Sequence, residues 1–145
     1  MSKISVKIDG IDDLLADLKR LGTISEEMVV DTINDIAMDT QQEAVRGIQR
    51  GPASGRTYKR GTVTHTASSP GQYPMSDTGR LASNVEFEIA TKSRKVAVVG
   101  TNILYGPYLE FGTSNMAARP WLMPSFRKAS EGVAKELKAK LEGRL

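Results

Sequence analysis

"TISEEMVVDTINDIAMDTQQEAVRGIQR", residues 23–50, sets Val29, Ile33, Ile36, Ala37, Ala44, Val45 and Ile48 at the spacing of one helical face. Thr23 and Glu26 stand at capping-box spacing ahead of it. One long amphipathic helix therefore runs to about Arg50. Its apolar stripe needs a second apolar surface to lie on, and the flanking sequence supplies one. "KISVKID" (3–9) alternates Ile4, Val6 and Ile8 as a half-buried strand does. "GIDDLLADLKRLG" (10–22) places Ile11, Leu14, Leu15, Leu18 and Leu21 at helical spacing before Gly22.

Downstream, "VEFEIAT" (85–91) and "KVAVVGT" (95–101) read as two strands joined through the polar "ATKSRK". Val85, Phe87 and Ile89 alternate in the first; Val96, Val98 and Val99 mark the second, more buried one. "TGRLASN" (78–84) is a short helical turn, and "YGPYLEFGT" (105–113) a short helix with Pro107 in its first turn. "RPWLMPSFRKASEGVAKELKAKLEGRL" (119–145) puts Leu122, Phe126, Ala129, Val133, Leu137 and Leu141 on one helical face, with Pro120 and Pro124 at its start.

Residues 51–77 interrupt this order. Fifteen of the 27 are Gly, Pro, Ser or Thr and six are apolar, too few for a core of their own. "TYKRGTVTHT" (57–66) suits a hairpin about Gly61. Such an arm is either ordered by a neighbouring subunit or left as a loop. The expected class is α+β: a single domain over 1–145, with two or three helices on one face of a small, mainly antiparallel sheet. Its parts are the N-terminal strand and helices (1–50), the long arm (about 51–77), the strand pair with its short helices (78–119) and the C-terminal helix (120–145).

Of the 145 residues 39% are apolar and 26% charged, an ordinary globular balance. No apolar run approaches a membrane span, and the N-terminus lacks the continuous apolar stretch of a signal peptide. A cytosol-like compartment is expected. The absence of Cys removes disulfides and thiolate chemistry, and the single His65 has no histidine partner for a metal. Net charge is +3, yet the charge is local: no acid lies between Glu43 and Asp77, while Arg46, Arg50, Arg56, Lys59 and Arg60 do. The other residues hold 15 basic and 17 acidic groups. The basic segment is either a solvated surface or a site for an anionic partner.

Asp77-Thr78-Gly79 spells the tripeptide of aspartic proteases. That motif closes an apolar strand in an all-β fold and pairs with a second carboxylate. Here Asp77 follows the turn-forming "GQYPMS", Arg80 follows where a small residue belongs, and two long helices flank the site. Asp77 or Thr78 serves instead as an N-cap, with Gly79 easing a tight turn. No phosphate loop, nucleophile elbow or metal cluster is present, so no catalytic residue, metal or cofactor is expected. Glu110 lies among aromatic neighbours. Its expected role is a structural ion pair, with Arg119 the nearest cation, and a general base is the alternative. Trp121 and Phe126, with Leu122 and Met123, are either core or a subunit contact.

The ordered set "SSPGQYPMSDTGRLASN" (68–84) and "VVGTNILYGPYLEFGTSNMAARPWLMPSF" (98–126) closely resembles the HK97 gp10-like family of tailed-bacteriophage morphogenesis proteins. The elements that carry it are Pro70-Gly71, Thr78-Gly79-Arg80-Leu81, Gly100-Thr101, the run Tyr105, Tyr108, Glu110, Phe111, Gly112 and Thr113, and Arg119-Pro120-Trp121. The resemblance implies a virion structural protein without catalytic activity, made in the bacterial cytoplasm. It would form a homo-oligomeric ring at the head–tail junction, between head-closure or portal-side proteins and the tail tube or its terminator. Genomic DNA would pass through the ring, with the basic segment facing it without sequence preference or meeting an acidic protein instead. A tail-terminator protein capping the tube is the near alternative, and a small basic nucleic-acid-binding protein the remote one. Many relatives carry a shorter segment where this chain has "GPASGRTYKRGTVTHTASS" (51–69).

Overall fold

The structure, a computed structural model, describes residues 4–8, Ala16 and 26–142, with the side chains of Lys140 and Leu141 excepted. The helix expected over 11–21 and the cap residue Thr23 lie outside the described residues, apart from Ala16, which is helical. Chain order is β1 (Ile4–Ile8), α1 (Glu26–Gln49), β2 (Thr57–Arg60), β3 (Val63–Thr66), a 3-10 turn (Ala82–Asn84), β4 (Val85–Glu88), β5 (Ala97–Thr101), α2 (Gly106–Phe111) and α3 (Leu122–Glu142). This is the α+β arrangement that the sequence predicts.

An antiparallel sheet in the order β1-β5-β4 forms one layer, and α1 with α3 forms the other. The register stacks Ile4, Thr101 and Val85 in one rung, Val6, Val99 and Phe87 in the next, and Ile8 with Ala97 in the third. Side chains of a strand alternate between faces, so these rungs share the face that meets the helices. Ser5, Lys7, Glu86 and Glu88 stand exposed on the other. The sequence reading of β5 is one residue out of phase at Val96 and Val98. Ala97, Val99 and Thr101 are buried, while Val96 and Val98 are half-buried on the outer face. A short valine run has no alternation of its own, so periodicity does not choose its face.

From α1 the core takes Val30, Ile33, Ile36, Ala37, Ala44 and Ile48. It also takes Thr32 and Thr40, whose hydroxyls donate to the Met28 and Ile36 carbonyls (2.7 and 2.6 Å). A hydroxyl satisfied within its own helix enters the core at little cost, although hydropathy counts it as polar. Asn34 reaches the sheet: its side chain accepts from the Ala90 amide (2.7 Å) and donates to the Ala90 carbonyl (3.2 Å). Those bonds take the place of ladder partners just after β4. Lys95–Glu26 (2.8 Å) and Lys92–Glu27 (2.6 Å) link the connection after β4 to the first turn of α1. The Lys95 ammonium holds the Glu26 carboxyl below the ordinary range.

The arm is a hairpin with docked roots. β2 and β3 pair across Gly61 and Thr62, with Arg60 opposite Val63. Gly61 has φ 61°, as the first position of a II′ turn requires, and Thr62 keeps a negative φ. The hairpin projects and β2 is exposed throughout. Its flanks do not hang loose as the sequence suggested. Ser76 N donates to the Ile48 carbonyl (3.2 Å), Gly71 N to the Ala118 carbonyl (2.8 Å), and the Tyr73 hydroxyl lies 2.9 Å from Ser125 Oγ. The Tyr73 ring fills the space over Gly47 that any Cβ would occupy.

Where α1 faces α3, partial burial pushes the Asp39 carboxyl up, and the nearby Asp35, Glu136 and Glu43 add to the shift. The ionised form is thus disfavoured in the folded chain, so this residue costs stability at neutral pH, and the cost fades as pH falls through its folded pKa. Asp39→Asn is expected to raise stability at pH 7 by about 0.5 kcal/mol. The gain should vanish by pH ~3, where the acid is protonated in both states; urea titrations at the two pH values check it.

Candidate partner-binding cleft

Seven of the residues singled out in the sequence, Arg60, Thr78, Gly79, Arg80, Leu81, Tyr105 and Arg119, meet at the root of the hairpin around a cleft of about 430 Å³. Tyr58, Arg60 and His65 come from the hairpin, Asp77 to Leu81 from the turn before the 3-10 segment, Tyr105 and Leu109 from α2, and Arg119 from the strap before α3. Ile48, Pro74, Met75 and Met116 add apolar lining.

The 77–81 turn forms as its residue types dictate. Gly79 has φ 75°, open to glycine. Its amide donates to Ser76 Oγ (3.1 Å), and the Arg80 amide to Thr78 Oγ1 (3.4 Å). Asp77 is not the cap. It accepts from Arg60 Nη2 (3.1 Å), and His65 Nδ1 lies 3.8 Å away. One carboxylate facing an arginine is a tether for the hairpin, with no second acid beside it to share a proton. Among the described residues no cluster of His, Asp or Glu is suited to a metal.

Glu110 is buried, and the cation expected beside it is elsewhere. Its carboxylate accepts from the amides of Trp121 (2.7 Å), Leu122 (2.8 Å) and Met123 (3.0 Å), the first unpaired donors of α3. Charge-assisted bonds to a helix N-terminus satisfy a buried carboxylate without a salt bridge. Arg119 turns the other way, donating from Nε to the Ser68 carbonyl (3.1 Å). Glu110 is thus a cap supplied from another helix. Gly112, at φ 75°, reverses the chain after α2, and the Thr113–Met116 bridge brings Pro120 and Trp121 back across it.

Trp121 is fully buried and donates from Nε1 to the Gly106 carbonyl (3.1 Å), so it is core rather than a contact surface. Phe126 is half-buried against the same core. Several large apolar side chains on or beside α2 face solvent: Leu104, Tyr108 and Phe111, the last 73% exposed. The sequence reading passed over Leu104, and aromatics in a run carry no label for inside or outside.

Two of the five basic residues have carboxylate partners. Arg46 pairs with Glu43 (2.7 Å) and Arg60 with Asp77. Arg50, Arg56, Lys59, Arg80 and Arg119 meet no carboxylate within 4 Å among the described residues.

The model of a bacteriophage family, HK97-gp10-like and described as a candidate tail-component, matches residues 12–112. The chain belongs to this family. The match runs from before α1 through β5 and α2, so it spans the hairpin, the turn and Glu110, and it stops short of α3. No curated protein and no solved structure matches the chain. No helix among the described residues is long and apolar enough to cross a membrane.

Glu110→Ala would leave three helix-start amides without an acceptor and is expected to cost about 3 kcal/mol; a urea midpoint unchanged from wild type would show the carboxylate to be dispensable. Asp77→Asn is expected to speed amide exchange across 57–66 while shifting global stability by less than ~1 kcal/mol. Hydrogen-exchange mass spectrometry checks this, and unaltered hairpin protection would rule out the tether.

Proposed function

We propose that the chain is a non-enzymatic virion structural protein of a tailed bacteriophage, a ring-forming subunit at the head–tail junction. In this reading it joins head-closure or portal-side proteins to the tail around the DNA channel. The family match carries the reading. The architecture supports it: a two-layer body holds a projecting hairpin by an arginine–aspartate tether, and α2 presents Tyr108 and Phe111 to solvent. Exposed aromatics beside a cleft suit protein contacts. The chemistry of the cleft points the same way, because Asp77, the one acid lining it, is held by an arginine. Of the five basic residues, Arg50 and Arg56 are free to meet phosphates passing through the ring, in contacts indifferent to sequence and sensitive to salt.

The description of the family as a tail component favours a second reading, a terminator that caps the tail tube. Cryo-electron microscopy of intact particles separates the two. A ring of this chain between head closure and tail is the expected result, a ring bound to the end of isolated tails selects the terminator, and absence from particles overturns both.

A further inference from the structure

The chain exposes strand edges of opposite character. β4 is an outer strand of the sheet, and both strands of the two-stranded hairpin are edges, of which β2 carries the basic Lys59 and Arg60. An outer strand leaves a row of backbone donors and acceptors facing water, ready to pair with another chain. Along β4 and just past it, Glu86 and Glu88 alternate with Phe87 and Ile89, which are 38% and 59% exposed. Along β2, Tyr58 and Arg60 alternate with Thr57 and Lys59, and all four are exposed. Glu86 meets no basic group within 4 Å among the described residues, and Glu88 meets Arg94 only at 3.4 Å. Lys59 meets no carboxylate there either.

We infer that β4 of one copy pairs edge to edge with β2 of the next. The inference rests on the ring reading and adds which surfaces meet. Strand alternation fixes the chemistry of such a pair. With Lys59 on the side of Glu86 and Glu88, Tyr58 and Arg60 fall on the side of Phe87, and Arg60 keeps its own Asp77. Opposite charges then lie together on one face, and aromatic and guanidinium groups on the other. A slip of one residue sets Lys59 against Phe87 and brings Arg60 to the carboxylates only if it leaves Asp77, so the tether favours the first phase. β1, the opposite edge of the sheet, carries Lys7 and would repel a basic strand. Because the two surfaces differ, each copy offers its hairpin in one direction and β4 in the other. Repetition of such a contact closes into a ring or runs on as a filament.

The competing role for Glu86 and Glu88 is to keep β4 solvated and unpaired. The two roles predict opposite signs. Neutral Glu86→Gln with Glu88→Gln weakens assembly if the carboxylates bind the hairpin, and promotes association if they only guard the edge.

The test uses particles assembled in host cells with the full set of phage structural proteins. Wild-type particles built from copies of two isotopic masses are treated with carbodiimide, which joins lysine to carboxylate without a spacer. A link from Lys59 to Glu86 or Glu88 between copies of different mass is expected. Glu86→Lys with Glu88→Lys, or Lys59→Glu, should each lower the copies per particle about tenfold or more, since like charges then face each other. Both variants alter exposed side chains, so urea midpoints should stay at wild type. Expressed together, the two variants should restore assembly, because every contact between unlike copies pairs opposite charges. Failure of that rescue, or wild-type incorporation of either variant with no Lys59 link, overturns the edge pairing and leaves the ring reading standing. Absence of the chain from wild-type particles removes the ring reading and the edge pairing with it.

Discussion

One carboxylate governs how the last third of this chain is placed. Glu110 sits at the end of a six-residue helix and takes the amide of Trp121, just before α3, and the first two amides of α3. Those amides have no partner within their own helix, and a buried N-terminus without an acceptor is costly. The carboxylate is equally dependent on them, since no basic group among the described residues lies within 4 Å of it. Each group satisfies the other, and together they fix where α3 begins. From that point Leu122, Ala129 and Val133 fall toward the sheet and α1, and Lys128 reaches Glu43 at 2.7 Å. Trp121, immediately before the helix, closes the core over Gly106, where an added Cβ would crowd Thr101.

The second constraint is set by α1, which is both floor and clamp. Its apolar stripe carries the core, while Asn34 and Gln41 bond the backbone of the β4 region at Ala90 and Val85. These side chains settle where β4 stops being part of the sheet. Ala90 turns inward and is buried, whereas Ile89, one residue earlier, is left in water. The exposed apolar group at the edge is therefore a product of how the body is held, not of loose packing.

Much of this was legible in the residues. Helical spacing from Val29 to Ile48 and alternation from Ile4 to Ile8 each report a single amphipathic surface, and both elements form where that pattern places them. The hairpin was legible because glycine is cheap at the one position needing positive φ. What the sequence hid falls into three kinds. Thr32 and Thr40 count as polar until their hydroxyls are seen to bond within the helix. Val98 and Val99 present equal hydropathy to both faces, so only the register with β1 and β4 decides between them. Glu110 was correctly placed in an apolar setting, but its partners are backbone amides that every sequence possesses, and no residue type advertises them. Arg119 was proposed because it is the visible cation, and the structure spends it on Ser68.

The hairpin adds no side chain to the core beyond its roots, and its strands are held by cross-strand pairs such as Thr57 with Thr66, whose hydroxyls lie 2.8 Å apart. Its length is therefore uncoupled from the stability of the body. Adding one residue to each strand with a matched partner would extend its tip by about 3.3 Å while the roots at Ile48 and Ala118 stayed in place. One inserted cross-strand pair would turn the side chains beyond it to the other face, and two inserted pairs would restore them. A lineage can thus tune the span between the body and whatever the tip touches, in even steps, as a carpenter moves a peg along a rail without recutting the joint.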